Sequence, residues 1–435
     1  MTTPGYRVAA GGCVRGEIVI PGDKSVSHRA VLFGGIARGT TEIEGFLESE
    51  DCLATLAAMR AMGVNVLRPG AGRVIVDGVG LHGLKAPAGA LDMGNAGTAM
   101  RLSMGLLAGQ SFDATLVGDA SLSRRPMERA AAPLRLMGAR IDTTDGKPPV
   151  TVHGHGALQG IDYDLKIPSA QVKSAILIAG LYARGTTVVR EHAVTRDHTE
   201  RMLRAFGIGV DSQPGRVSLA GAAELRATRV QVPGDISSAA FFLVAGALAA
   251  EGGFLIRDVG MNPTRTGVID ILRLMGADIR EHNRRLAGDE PIADLEVHRS
   301  ELVGIEVPRA LVPLAIDEFP VLFIAAAGAR GTTVVTGAEE LRVKESDRIA
   351  VMAQGLCTLG IHAEPRPDGI RIEGGRLGAG RIASHGDHRI AMAFAVAALK
   401  AAGPIEISDV ANVATSFPGF ATLARRAGLA LEEFR

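Results

Sequence analysis

The sequence contains no tryptophan, only three tyrosines and three cysteines, and no surplus of either charge: 47 Lys and Arg offset 47 Asp and Glu over 435 residues. Without net charge there is no global basic field to hold nucleic acid or an anionic membrane, so an anion site has to come from local placement of cations. Cys13, Cys52 and Cys357 are odd in number, far apart and without a CxxC spacing. That argues against a disulfide framework and a thiolate zinc site and fits a reducing compartment. The longest apolar run, Ala239 to Ala250, has 12 residues, where a membrane span needs roughly 20, and the opening MTTPGYRVAAGGCVRG lacks an apolar leader core. The expectation is a soluble cytoplasmic protein. What is abundant is small or apolar: 55 glycines and 47% hydrophobic residues, enough for two or three domains with large cores.

The chain repeats itself. The stretches AVLFGGIARGTTEIEGF, AILIAGLYARGTTVVRE and PVLFIAAAGARGTTVVTG share an apolar helical run, a small-residue turn and a β-branched strand. A second helix follows in each unit and ends at a glycine: Gly63, Gly138, Gly207, Gly276, Gly360 and Gly428, at spacings of 75, 69, 69, 84 and 68 residues. Glycine just past a helix is the expected left-handed cap. Six units of roughly 70 residues exceed a solenoid repeat and suit a βαβ-type unit with mixed strands. Pro21-Gly22-Asp23 and Pro233-Gly234-Asp235 each follow a strand (GEIVI, TRVQV) and precede a helix start. Read as paired crossovers, these turns make residues 22–233 one continuous domain and 1–21 plus 234–435 a discontinuous one.

Several clusters carry chemistry. In PGDKSVSHR, Asp23 or Ser25 can cap a helix, whereas Lys24 and Arg29 at a helix start oppose its dipole unless an anion sits there too. GNAGTAMR opens a helix after two glycines, a shape that lets backbone N–H groups approach an anion, and SRRPM adds Arg124 and Arg125. SAQVKSA (Ser169 to Ala175) puts polar side chains ahead of an otherwise apolar helix, and RDHTE offers Arg196 beside a capping-box spacing. His385 and His388 lie three apart but lack further ligands nearby, so no metal site is expected. RVKESDR concentrates Arg342, Lys344, Glu345, Asp347 and Arg348. Asp317 stands between Leu314-Ala-Ile316 and Phe319-Pro-Val-Leu-Phe-Ile324, where partial desolvation would raise its pKa and suit a base.

With PGDKSVSHR, GNAGTAMR, SAQVK, RDHTE, NPTR (Asn262 to Arg265), RVKESDR, DHRIAMAF and SFPGF in place, the chain closely resembles, end to end, the 5-enolpyruvylshikimate-3-phosphate synthases. GDK, SAQVK, RDHTE and NPTR are similar to the class II branch, associated with tolerance to the inhibitor glyphosate. The resemblance implies an α/β fold, the two-domain inverse α/β barrel of six βαβαββ units, three per domain. It implies a monomer with no metal and no organic cofactor. The implied reaction transfers the enolpyruvyl group of phosphoenolpyruvate to the 5-hydroxyl of shikimate 3-phosphate, releasing phosphate through a tetrahedral intermediate, on the pathway to aromatic amino acids.

By motif position the resemblance assigns Lys24, Ser25, Arg29, Ser169, Ala170, Gln171, Arg196, Asp317 and Lys344 to shikimate 3-phosphate, and Lys24, Gly97, Arg125, Gln171, Arg348 and Arg389 to phosphoenolpyruvate. Asp317 is the base for the 5-hydroxyl, and the methylene proton falls to Glu345 or Lys24. Two positions depart from other members: Thr415 stands where some carry Lys, and Ala170 where others have Ser. Two competing readings are the sister transferase acting on UDP-N-acetylglucosamine and a non-catalytic anion-binding scaffold. The first typically carries a Cys in the loop matching Leu116 to Arg125, which has none here. Asp317 and Glu345 beside the cation motifs speak against the second.

Overall fold

Each of the six glycines that close the second helix of a repeat is left-handed, with φ of 90, 102, 88, 95, 82 and 114° at Gly63, Gly138, Gly207, Gly276, Gly360 and Gly428. The computed structural model of the chain describes residues 4–154 and 157–434. It forms two compact units, one of residues 22–233 with 287–290, the other of 1–21, 234–286 and 291–435. The core of the first is drawn wholly from residues between Val26 and Val232, that of the second from Tyr6–Ile20 and Ile236–Leu431.

The first unit contains α1 (Lys24–Ile36), α2 (Glu50–Ala61), α3 (Gly97–Ala108), α4 (Glu128–Leu136), α5 (Ala170–Gly180) and α6 (His198–Ala205). The second contains α7 (Ile236–Ala249), α8 (Gly267–Leu274), α9 (Phe319–Ala327), α10 (Arg348–Thr358), α11 (His388–Ala397) and α12 (Phe420–Ala427). The odd-numbered helices are buried nearly all round, α7, α9 and α11 at every position. After polar first turns in α1, α3, α5 and α11 their sequences are accordingly mostly apolar, while the even-numbered helices keep a polar face. Each repeat runs strand, buried helix, strand, amphipathic helix and hairpin. The sheet around Arg38–Glu44, for instance, pairs it parallel to Arg229–Gln231 and antiparallel to Arg73–Val79. The repeat around Thr332–Val335 departs from the rest. Its sheet has three strands, and the parallel edge is reduced to isolated bridges at Val303 and Glu306.

The two Pro-Gly-Asp turns each follow a parallel edge strand. Glu17–Val19 belongs to a sheet of the second unit and Arg229–Gln231 to a sheet of the first, so the chain changes unit immediately after each. Asp23 N donates to Pro233 O at 2.7 Å, and Asp235 N donates to Pro21 O at 2.9 Å. Both turns need glycine for close approach: a Cβ on Gly22 would lie 1.9 Å from Gly45 O, and one on Gly234 2.8 Å from Asp258 O.

Candidate active site

In each unit most of the candidate residues gather at or just before the N-terminal ends of helices, where unpaired N–H groups and the helix dipole favour anions. In the first unit Asp23 caps α1, its carboxylate accepting from Val26 N at 2.8 Å. That leaves Ser25 half-buried and uncommitted to the cap. Lys24 Nζ lies 2.9 Å from Asp51 Oδ2 at the start of α2. Arg29 points into the unit, donating through Nε to Thr199 Oγ1 (2.7 Å), through Nη2 to Ser174 Oγ (2.8 Å) and through Nη1 to Ser25 O (2.9 Å). Burial lowers its pKa to about 10, which still leaves it cationic at neutral pH. His28, pushed down to about 3 chiefly by burial and further by Lys24 and Arg29, is neutral and ties α1 to Thr55 of α2.

Gly97 opens α3 in the helical region, so the sharp loop expected there ends one residue earlier and no left-handed conformation is required. Arg125 packs over it, donating to Asn95 Oδ1 (2.6 Å), Asn95 O and Ser121 Oγ (both 3.2 Å). Ser169 caps α5, and Gln171 in its first turn is held from both sides: Arg101 Nη1 donates to Oε1 at 2.6 Å and Nε2 donates to Thr98 Oγ1 at 2.9 Å. Ala170 lies beside them, and Arg196 is half-buried just before α6.

In the second unit Asp317 precedes α9 with its side chain 15% exposed, and Oδ1 faces Lys344 Nζ at 3.4 Å and Arg348 Nη1 at 3.5 Å. The apolar flanks therefore do not surround the carboxylate with apolar groups; they bury the helix behind it. Arg348 is 1% exposed and reaches Glu345 Oε2 (2.7 Å) and Asp387 Oδ2 (2.8 Å). Burial alone would lower its pKa, but Asp387, Glu345 and Asp317 outweigh burial and raise it. Arg389 Nη1 donates to Asp317 O at 2.9 Å. Arg342 and Asp347 of the same motif pair with each other at 2.6 Å, and Asp347 caps α10, so both are structural. Thr415 is buried and donates to Asn412 O at 2.7 Å.

The motifs left several partners unassigned. Asp51 holds Lys24, Arg101 holds Gln171, and Asp387 holds Arg348. Glu318 accepts from Ser237 Oγ and lies 3.8 Å from Arg265 and 3.9 Å from Arg389. Arg101 ends GNAGTAMR one helical turn after Gly97, and Glu318 adjoins Asp317; these spacings are the signals that could have found them. Among the described residues no group of three or more His, Cys, Asp or Glu is placed to hold a metal ion, and His385 and His388 form no such group.

The family model for EPSP synthase (3-phosphoshikimate 1-carboxyvinyltransferase) matches residues 8–423. The chain belongs to this family. A 3-phosphoshikimate 1-carboxyvinyltransferase of Alkalilimnicola ehrlichii is 62% identical over 98% of this chain and 96% of its own, and one of Methylococcus capsulatus is 60% identical over 98% of both. The solved EPSP synthase of Acinetobacter baumannii superposes with a TM-score of 0.89 at 56% identity, covering 100% of both chains. The fold is the family's inverse α/β barrel, and the chain is a transferase of this class.

Proposed function

We propose that this chain transfers the enolpyruvyl group of phosphoenolpyruvate to the 5-hydroxyl of shikimate 3-phosphate, in the shikimate pathway, with the residues placed above in the roles that follow. The observation that carries the reading is one guanidinium shared by two carboxylates: Arg348 meets both Asp317 and Glu345, with Lys344 beside Asp317. A base, an acid and two cations thus occupy one corner of an otherwise neutral protein.

Asp317 takes the 5-hydroxyl proton as that oxygen attacks C2 of phosphoenolpyruvate, and Glu345 delivers a proton to the methylene carbon, giving the tetrahedral adduct. Return of one methyl proton to Glu345 and cleavage of the C2–O bond, with the proton held by Asp317 passing to the departing phosphate oxygen, release inorganic phosphate, restore the double bond and regenerate both carboxyl groups. Roles of this kind contribute about 10²–10⁴-fold each. Arg348, Arg389 and Arg125 meet the carboxylate and phosphate of phosphoenolpyruvate, for which the planar guanidinium fork is suited. Ser25, Ser169, Ala170, Gln171, Arg196 and Lys344 meet shikimate 3-phosphate, and Lys24 meets both substrates. Arg29, engaged on three sides, serves the same substrate by fixing Ser25 and the start of α6. The enzyme acts as a cytoplasmic monomer; among the described residues no helix is long and apolar enough to cross a membrane.

A phosphate-release assay with either acceptor tests the reading. Release is expected with shikimate 3-phosphate and absent with UDP-N-acetylglucosamine. No release with shikimate 3-phosphate overturns the reading.

A further inference from the structure

Lysine is among the residues least often fully buried, yet Lys173, in the first turns of α5, is 1% exposed. Its ammonium has three N–H donors and meets three acceptors: Glu200 Oε1 at 2.8 Å, Glu191 Oε1 at 3.1 Å and Thr195 O at 3.4 Å. Burial alone would lower its pKa, but the two carboxylates outweigh burial and raise it, so the group is a fixed cation. A buried ion pair of this kind is a weak source of stability, because apolar side chains of similar volume often serve as well. What the triad does supply is position.

The segment 192–197, between the strand Thr186–Glu191 and α6, has no regular structure and hence no ladder of its own. Thr195 is nevertheless gripped twice, its carbonyl by Lys173 and its hydroxyl by Glu191 Oε2 at 2.7 Å. Four residues on, Thr199 is gripped by the next residue of α5, Ser174, at 2.7 Å. Arg196 lies between these two anchors, and both lead back to the helix that Ser169 caps and whose first turn carries Gln171.

We propose that Lys173 is a positioning residue that, through Glu191 and Thr195, fixes the backbone at Arg196 relative to Ser169 and Gln171. It thereby orders one wall of the shikimate 3-phosphate site without touching the substrate. This rests on Arg196 meeting shikimate 3-phosphate, as read above.

The test measures shikimate 3-phosphate Kd by calorimetry, and kcat and phosphoenolpyruvate KM by phosphate release, in wild type, Lys173→Gln, Thr195→Val, Arg196→Ala and the two doubles with Arg196→Ala. Lys173→Gln and Thr195→Val should each weaken shikimate 3-phosphate by about tenfold or more, with kcat and phosphoenolpyruvate KM within about threefold of wild type. In the Arg196→Ala background the same changes should add less than about twofold, because the residue they position is gone. Full additivity, or a Thr195→Val protein that binds shikimate 3-phosphate like wild type, overturns the proposal. Thr195→Val decides alone if Lys173→Gln does not fold. A wild type that releases no phosphate overturns the proposed function itself and this inference with it, so the two failures are told apart in the first measurement.

Discussion

Asp317→Ala removes the one oxygen that both Lys344 Nζ and Arg348 Nη1 face. On the proposed role the base is lost, but two cations are released toward an anionic substrate, so binding should survive where turnover does not. We expect kcat to fall by at least about 10²-fold with shikimate 3-phosphate affinity within about an order of magnitude; near-normal turnover would sink the assignment. Gly97→Ala is the second single-residue test. The added Cβ would meet Arg101 Nη1 at 3.0 Å and Arg125 Nη1 at 3.2 Å, and the helical φ removes any backbone penalty. The methyl therefore acts by displacing the ends of two flexible guanidiniums, one of which is read as a phosphoenolpyruvate ligand. Glyphosate, longer than phosphoenolpyruvate, should lose more: the ratio of its inhibition constant to the phosphoenolpyruvate KM should rise by about 10–200-fold, the usual worth of one methyl in a fitted pocket. An unchanged ratio shows that residue 97 is no steric gate. Candidate site residues could be proposed from the sequence because their types cluster in short motifs. Their partners were not, since Asp51 meets Lys24 and Arg101 meets Gln171 only once separate helices are packed together.

The repeated RGTT element shows what a motif does within an element. Its glycine is left-handed in all three copies, φ 100° at Gly39, 84° at Gly185 and 93° at Gly331, turning the chain from buried helix into strand. The second threonine then faces the core, Thr41 and Thr187 at 0% and Thr333 at 3% exposure. Thr41 packs on Gly34 of α1 and Thr187 on Gly180 of α5, where a Cβ would come within 3.2 and 2.9 Å respectively. None of the three hydroxyls has a hydrogen-bond partner among the described residues. A buried hydroxyl without a partner costs about 1–3 kcal/mol, and valine keeps both the shape and the strand preference. Thr41→Val, Thr187→Val and Thr333→Val together should leave stability unchanged or raise it, by about 1 kcal/mol per site at most, as read by urea unfolding. A loss beyond about 1 kcal/mol would mean that the hydroxyls are satisfied in solution. The helices, their glycine caps and the β-branched strands are local chemistry and could be read from one repeat at a time. The parallel edges could not: Ile43 pairs with Val230 and Ile18 with Ile256, and nothing local in either strand names so distant a partner.

At the scale of the whole chain, the two crossovers decide how the molecule can be divided. The continuous unit draws its core entirely from Val26 to Val232, and its two ends adjoin, Asp23 N donating to Pro233 O at 2.7 Å. The discontinuous unit has the complementary property: Pro21 and Asp235 are joined by a hydrogen bond of 2.9 Å, so removing residues 22–233 leaves two ends that a short glycine linker can bridge. A core complete within a segment whose ends meet is the physical condition for independent folding. We therefore expect residues 22–233 alone, and residues 1–21 joined through two or three glycines to 234–435, each to be monomeric and to unfold cooperatively. The first fragment lacks residues 287–290, and with them the contact between His198 Nδ1 and Glu290 Oε1 at 2.7 Å. It should therefore be the less stable for its size, with α6 the first helix to lose amide protection in hydrogen exchange. If either fragment lacks a cooperative transition by circular dichroism, its core is not self-sufficient, and the division at residues 21–22 and 233–234 marks a change of neighbours rather than a boundary between folding units.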